Sequence, residues 1–318
     1  MKERMACALV VVTVVAAGGC GGGRGPVGPA GPGVKDDGRP ALVLTPIAKL
    51  GKGAGDEVSG IVRSRRDPTV FWTLNDSGDG PRVYPVRADG AVIPSAREPK
   101  KPGTEIGGAI NGDWEDIALD ASGRLIVADV GNNSNARADL CLYFVEEPEP
   151  TESRTTYTRK VLVRYPEQRS RPAPADDFNY DCEGVFTVGD EVYLLTKNRS
   201  DTRTAMYRLA SHEVGVVNDL ERLGSFDVRG RATGADASDD GLNLVILTYD
   251  RIWLIERPDA RTPFFGGRGV RAWSRGYRME DGASDSEAVC FETPTSLLIA
   301  DESRGMLYRV PIAQIRGE

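Results

Sequence analysis

The chain has 318 residues, a formal net charge of −7 at neutral pH, and 37 glycines. The acidic balance argues against a nucleic-acid-binding protein, because no basic patch is available to neutralise phosphate groups. His212 is the only histidine, which argues against a catalytic triad and against transition-metal sites of the His/Cys type. Any hydrolysis would therefore have to use carboxylates, a metal-bound water, or both.

The first 19 residues form an export signal. Lys2 and Arg4 provide a basic start, and the apolar run that follows, residues 5–17, is too short to span a bilayer. The run ends in Ala-Gly-Gly-Cys, which is similar to the processing box of bacterial lipoproteins and would make Cys20 the lipidated first residue. We expect a lipid anchor at Cys20 in a cell-envelope membrane, with a secreted soluble protein as the alternative.

Two further regions follow the export signal. Residues 20–40 are rich in Gly and Pro and are expected to form a tether. Residues 41–318 are expected to form a β-propeller that is a monomer. Their three cysteines, an odd number, indicate buried free thiols on strands rather than a disulfide framework: Cys141, Cys182 and Cys290.

The folded region contains a repeated hairpin pattern. Residues 113–133 predict two short strands with an acid at each open end, Glu115 and Asp129, fourteen residues apart. An aromatic residue within an apolar run follows each hairpin and predicts a third strand. Four more residue pairs fit this spacing, the first of them after five extra turn residues are allowed: Glu57 and Asp76, Glu183 and Lys197, Asp236 and Asp250, and Glu287 and Asp301.

Five such units of four strands predict an all-β, five-bladed β-propeller. The expected fourth strands have weaker patterns and lie at residues 91–97, 155–165, 219–228 and 270–274. Residues 41–50 are expected to pair with the last unit and close the ring, which removes an exposed edge. A propeller of six blades, with the extra blade within residues 146–180, is the alternative.

In this fold the first strand of each blade lines the central channel, so the acids of the repeat are expected to meet at one end of it. The predicted ring consists of Glu57, Asp76, Glu115, Asp129, Glu183, Lys197, Asp236, Asp250, Glu287 and Asp301.

Three arrangements would relieve the repulsion within such a ring. The acids could accept hydrogen bonds that tie the blades together, or one acid could stay protonated and act as a proton donor. Alternatively, carboxylate and amide oxygens could hold Ca²⁺. The predicted calcium ligands are a subset of Glu57, Glu115, Asn132, Glu183, Asp236 and Glu287.

Four stretches of the sequence resemble those of exported bacterial β-propellers: E-V-S-G-I at 57–61, D-W-E-D-I at 113–117, D-C-E-G-V at 181–185 and S-E-A-V at 286–289. Each is followed by an apolar strand such as L-I-V-A-D at 125–129. The similarity covers residues 41–318 and is to NHL-like, SdiA-regulated and phytase-like lipoprotein propellers, which implies the fold but no specific activity. Calcium-dependent lactonases and phosphotriesterases of the paraoxonase type also begin blades with a channel-facing acid. They add a catalytic histidine, and His212 does not lie at an equivalent position.

These observations predict a lipid-anchored propeller that acts as a binding or interaction module in the cell envelope. Its ligand would be a protein, a glycan or a small molecule. The alternative is a Ca²⁺- or carboxylate-dependent hydrolase of phosphoesters, lactones or glycosides, with its site at the acidic end of the channel.

Overall fold

The computed structural model describes residues 38–282 and 285–318. The expected export signal, most of the tether and the expected lipidation site at Cys20 lie outside these residues. Helical structure in the described residues is limited to a 3₁₀ turn at Ala175–Asp177 and a short helix, α1, at Ile312–Arg316. Over the same residues, no helix has the length and hydrophobicity needed to cross a bilayer.

Strands make up about half of the described residues and group into five repeat units. Two strands precede the units: β1 (Leu42–Leu44) and β2 (Pro46–Lys49). Unit 1 contains β3 (Val58–Arg63), β4 (Phe71–Asn75), β5 (Arg82–Val86) and β6 (Thr104–Gly107). Unit 2 contains β7 (Trp114–Leu119), β8 (Arg124–Asp129), β9 (Cys141–Glu146) and, after the short β10 (Arg154–Thr156), β11 (Arg159–Arg164).

The last three units follow the same plan. Unit 3 contains β12 (Cys182–Val188), β13 (Glu191–Thr196), β14 (Arg203–Leu209) and β15 (Val217–Asp227). Unit 4 contains β16 (Ala232–Ala237), β17 (Asn243–Thr248), β18 (Arg251–Glu256) and β19 (Arg271–Met279). Unit 5 contains β20 (Ser286–Thr293), β21 (Ser296–Asp301) and β22 (Met306–Pro311), and β2 is its fourth strand.

The units form a closed ring. Within each unit, neighbouring strands pair antiparallel. The first strands contact one another in the cyclic order β3, β7, β12, β16, β20 and back to β3. Hydrophobic clusters fill the space between successive units, and one of them lies between unit 5 and unit 1. The predicted β-propeller fold is confirmed.

The N-terminal segment closes this ring, as expected from the apolar pattern of residues 41–50. Pro46 faces Tyr308 and Lys49 faces Met306, so β2 covers the outer edge of β22. The preceding strand does not take part in this pairing, because Leu42 instead faces Tyr277 in a parallel pairing of β1 with β19. The segment therefore joins units 4 and 5 at their outer edges.

The expected fourth strand of unit 1 at residues 91–97 is wrong. This stretch contains only an isolated bridge between Val86 and Val92, and the fourth strand is Thr104–Gly107. Pro94 has no N–H group to donate to a ladder, and Ser95 Oγ accepts the N–H groups of Arg97 and Glu98 in a turn. The alternative of a sixth blade concerned residues 146–180. Within this region, β10 joins the edge of unit 1 and β11 completes unit 2.

The three cysteines of the folded region are buried free thiols, as expected. They lie on β9, β12 and β20, and so belong to the packed interior.

Each first strand carries a β-bulge close to its start, where one residue has no counterpart on the second strand. A bulge bends its strand and changes the direction of a side chain. The bulge residues occupy equivalent positions in the five units and define one end of the ring, called the mouth below: Ser59, Glu115, Glu183, Thr233 and Glu287.

Candidate functional site at the mouth of the ring

The bulges bring three of the predicted acids to the mouth. Glu115, Glu183 and Glu287 are 3%, 2% and 6% exposed. The equivalent residues of units 1 and 4 are not acids. Ser59 Oγ donates to the Glu115 backbone oxygen at 2.6 Å, and the Thr233 hydroxyl donates to a backbone oxygen of β20 at 2.7 Å. The mouth therefore combines three acids with two hydroxyl groups that tie adjacent first strands together.

Two predicted ring members do not occupy bulge positions. Glu57 precedes β3 and is exposed. Asp236 lies near the opposite end of its strand, where its carboxylate accepts the N–H groups of Phe291 and Ala237, each at 2.8 Å. The equal spacing that suggested both residues does not preserve the register, because the hairpin connections differ in length: 64–70, 120–123, 189–190, 238–242 and 294–295.

The predicted partners at the ends of the second strands also fall in different registers. Asp129 and Asp301 face the residue before the bulge of their own units. Asp76 and Lys197 follow directly after their second strands, and Asp250 lies one residue further along and is exposed. Asp76 and Lys197 therefore reach the mouth by extending past the strand end.

Glu115 is the central carboxylate of the mouth. It belongs to two groups in which one carboxylate oxygen per residue lies within 4.8 Å of the others: Asp76, Asp113 and Glu115, and Glu115, Asp181 and Glu183. The only hydrogen bond to its carboxylate in the described structure is a long one from Ser59 Oγ, 3.4 Å from Oε2. Gly131 leaves the room for this arrangement, because a Cβ there would lie 2.2 Å from Glu115 Oε1.

Lys197 neutralises the other side of the mouth. Its Nζ lies 3.0 Å from Glu183 Oε2 and 3.5 Å from Glu287 Oε1. Tyr249 donates its hydroxyl to Glu287 Oε1 at 2.9 Å, and its ring centroid lies 5.2 Å from the ammonium. The positive charge of Lys197 is thus directed to Glu183 and Glu287 rather than to the Asp113 side.

Several neighbouring polar groups are occupied by structural hydrogen bonds. Asp181 accepts the backbone N–H of Asn132 at 2.6 Å and is paired with Arg199 at 2.6 Å. Asp129 is paired with Arg137 at 2.8 Å. The Asn132 amide donates to a backbone oxygen at 2.9 Å, and its Oδ1 accepts a backbone N–H at 2.9 Å. Asn132, a predicted calcium ligand, therefore serves to hold the loop.

Asp301 of unit 5 has a similar role. Its carboxylate accepts the N–H groups of Arg304 and Asp285 at 3.0 and 3.2 Å and the Ser303 hydroxyl at 3.1 Å. Asp129 and Asp301 thus hold the loops of their own units and do not tie adjacent units together.

The predicted ring omitted four residues of the mouth. Asp113 and Asp181 stand two residues before Glu115 and Glu183, so the pattern Asp-x-Glu was the signal that could have identified them. The other two, Tyr249 and Glu302, follow directly after their second strands. No repeated sequence pattern marks these two positions.

Burial and like charges raise the pKa values of four acids at the mouth. Burial, followed by the charge of Glu183, holds the pKa of Glu115 well above its usual range. Burial also raises the pKa of Glu183, with Asp181 adding to the shift and Lys197 opposing it. The pKa of Asp113 rises to about 7 through burial and Asp76, and that of Glu302 to about 8 through burial and Glu287. Around neutral pH, part of the mouth therefore carries protons in place of negative charge.

Comparison with known proteins adds little to this picture. No protein-family model matches the sequence, and neither does any curated protein. Among solved structures, the chain is similar to hydrazine synthase of Kuenenia stuttgartiensis, with a TM-score of 0.44 and 8% identity over 80% of this chain and 71% of that one. It is also similar to the β-propeller domain of Cps50 (Swd1) from Myceliophteria thermophila, with a TM-score of 0.43 and 9% identity over 83% and 98% of the two chains.

A third similar structure is a protein of unknown function from Bacteroides thetaiotaomicron. Its TM-score is 0.41 and its identity is 12%, over 85% of this chain and 75% of that one. At these values the assignment of the fold depends on the strand pairings described above.

Proposed function

We propose that this protein is a binding module of the cell envelope and that its mouth binds a divalent cation, through which it engages an oxygen-rich ligand. The buried Glu115 carboxylate supports this proposal most directly. It lies among four other carboxylates, yet it receives only a single long hydrogen bond. A buried carboxylate without strong donors is costly unless a proton or a cation neutralises it.

The donor set fits a hard cation such as Ca²⁺. Calcium binds carboxylate oxygens at about 2.3–2.6 Å, so two oxygens on one ion are at most about 5 Å apart. The oxygens of Asp76, Asp113 and Glu115 lie within 4.8 Å of one another. These three residues would hold the ion, because Lys197 already neutralises Glu183 and Arg199 already pairs with Asp181. An ion with three protein carboxylates retains positions for the oxygens of a protein, glycan or small-molecule ligand.

Calorimetric titration of the purified full-length chain with CaCl₂ tests the proposal. We expect binding to one site, and we expect Glu115→Gln to abolish it. Asp250→Asn is the matched control, because Asp250 is an exposed acid beyond the end of its second strand. Thermal stability that EDTA leaves unchanged, together with no calcium in elemental analysis, would rule the cation out.

A carboxylate- or Ca²⁺-dependent hydrolase is the second candidate function. The observation in favour of the carboxylate-dependent form is Asp113, whose raised pKa of about 7 suits a proton donor when no cation is bound. Turnover of p-nitrophenyl phosphate, of a lactone or of a p-nitrophenyl glycoside that proceeds in EDTA and is lost in Asp113→Asn would support it. Unchanged turnover in that variant would exclude Asp113 as the donor.

We also propose that the protein is exported and anchored through Cys20, with residues 21–40 as the tether. The basic and apolar start of the chain and the Ala-Gly-Gly-Cys pattern support this proposal. Metabolic labelling with radioactive palmitate should label the full-length chain and not Cys20→Ser. Equal labelling of both chains would show that Cys20 is not the attachment site.

A further inference from the structure

A cavity of about 280 Å³ lies at the outer part of the ring, between unit 3 and the connection from β18 to β19 in unit 4. Its walls come from β13, β14, β15 and residues 257–265. None of its lining residues belongs to a first strand, so it is separate from the mouth. Its volume is just below the usual range for ligand pockets, about 300–1,000 Å³.

Much of the lining is apolar and partly aromatic. Four of these side chains are at most 9% exposed: Tyr193, Met206, Phe264 and Phe265. Leu223, 37% exposed, is more accessible than any of these four. Such a wall favours the flat apolar body of a small molecule.

The polar part of the lining is mainly cationic. Arg208, Arg257 and Arg261 line the cavity against a single acid, Glu191. Arg208 is paired with Glu191 at 2.9 Å and with Glu221 at 2.6 Å, so its charge is already compensated. Arg257 and Arg261 therefore give the cavity a positive character in a protein whose net charge is negative.

Arg257 is the residue that indicates a ligand. It is 5% exposed, its Nε donates to the Gly241 oxygen at 2.7 Å and its Nη1 donates to the Thr262 oxygen at 3.1 Å. Its guanidinium carbon lies 4.2 Å from the centre of the Phe264 ring. Both of these acceptors are neutral carbonyl oxygens, so no carboxylate pairs with the Arg257 charge within the described structure. A buried charge without a counter-ion is unfavourable, and an anionic ligand would supply one.

We propose that this cavity binds a small organic anion with a flat apolar body, such as an aromatic carboxylate. The carboxylate lies against the positive charges of Arg257 and Arg261, and the ring packs against Phe264 and Phe265. This site is independent of the proposed cation site at the mouth.

Titration of the full-length chain with 2-naphthoate and with its uncharged analogue 2-naphthamide tests the proposal. We expect 2-naphthoate to bind with one-to-one stoichiometry and 2-naphthamide to bind about tenfold more weakly, because only the former supplies a charged acceptor. Leu223→Trp should block both by filling the cavity. Failure of 2-naphthoate to bind, or binding that Leu223→Trp leaves unchanged, would overturn the proposal.

A matched pair of charge reversals separates a local contact from a general charge effect. Arg261→Glu should weaken 2-naphthoate binding about tenfold, as expected for reversal of a charge close to the ligand, and should leave 2-naphthamide binding unchanged. Arg268→Glu changes an exposed arginine of the same connection that does not line the cavity and should have no effect. Equal weakening by both variants would contradict the proposed contact.

Discussion

Lys197 and Glu183 form a buried ion pair at the mouth, with Nζ 3.0 Å from Oε2 and side chains that are 6% and 2% exposed. Burial opposes the charge of Lys197, but Glu183 and Glu287 outweigh it and raise the pKa of the ammonium. The lysine is therefore a fixed counter-ion for one half of the mouth. The half around Glu115 and Asp113 has no comparable lysine among the described residues, and this asymmetry distinguishes the two sides.

Replacement of Lys197 by Met should destabilise the protein in a pH-dependent way. Removing one partner of a buried ion pair typically costs about 3–5 kcal/mol, and we expect a loss near the lower value at pH 8. The loss should be smaller at pH 5, because Glu183, whose pKa lies well above its usual range, can then take up a proton. Urea unfolding at the two pH values measures this, with exposed Lys52→Met as the control. An equal loss at both values would show that the charge is not the cause.

The raised pKa values predict that the stability of the metal-free protein falls as the pH rises. The pKa of Asp113 is about 7 in the folded chain against an ordinary value of 3.8, and that of Glu302 is about 8 against 4.5. Between these limits the folded chain holds more protons than the unfolded chain, so the free energy of unfolding decreases with pH.

Urea unfolding in EDTA from pH 4 to pH 8 checks this direction. Asp113→Asn should reduce the slope, because it removes one of the titrating groups. Saturating CaCl₂ should also reduce it, since the cation favours the ionised carboxyls. A free energy of unfolding that increases with pH in EDTA would contradict the prediction.

The fold was predictable because its pattern is repeated in every unit. Short apolar runs followed by an aromatic residue, such as Tyr207 or Trp253, recur often enough to define strands even where one unit is irregular. The closing strand was predictable for a related reason, since β22 would otherwise leave an unpaired edge. The fourth strand of unit 1 was not predictable. The outer strands of this unit have few apolar residues, and Pro94 interrupts the strand that was expected at residues 91–97.

The register of the site was harder to predict, because a fixed interval between acids ignores bulges and turn lengths. A better signal was the glycine that follows the bulge in three units: Gly60, Gly184 and Gly234. First strands approach closely there, and a Cβ at Gly234 would lie 2.4 Å from the backbone oxygen of Glu287. Alignment on these glycines places Ser59 and Thr233 in the mouth, gives Glu57 the register of Asp113 and Asp181, and moves Asp236 toward the other end of its strand.

Gly131→Ala should disrupt the Glu115 side of the mouth. The added Cβ would lie 2.2 Å from Glu115 Oε1 and 2.6 Å from the Asp113 carboxylate, so these side chains must move. Overpacking typically costs about 1–3 kcal/mol, and we expect this loss in urea unfolding together with weaker Ca²⁺ binding in calorimetry. Gly80→Ala is the control, because the nearest atom to its Cβ would be 3.9 Å away. Unchanged Ca²⁺ binding in Gly131→Ala would argue against the ion at Glu115.

Asp236→Ala and Glu115→Gln should have opposite effects on stability and on binding. Asp236 joins units 4 and 5 by accepting the N–H group of Phe291, and its loss leaves that donor without its acceptor. An unsatisfied buried donor costs about 1–3 kcal/mol, which we expect in urea unfolding of Asp236→Ala, with Ca²⁺ affinity unchanged. Glu115→Gln should instead abolish Ca²⁺ binding and stabilise the metal-free protein at pH 8, because it removes a buried carboxylate that lacks strong donors. Loss of Ca²⁺ binding in Asp236→Ala would place Asp236 in the site after all and restore the register expected from equal spacing.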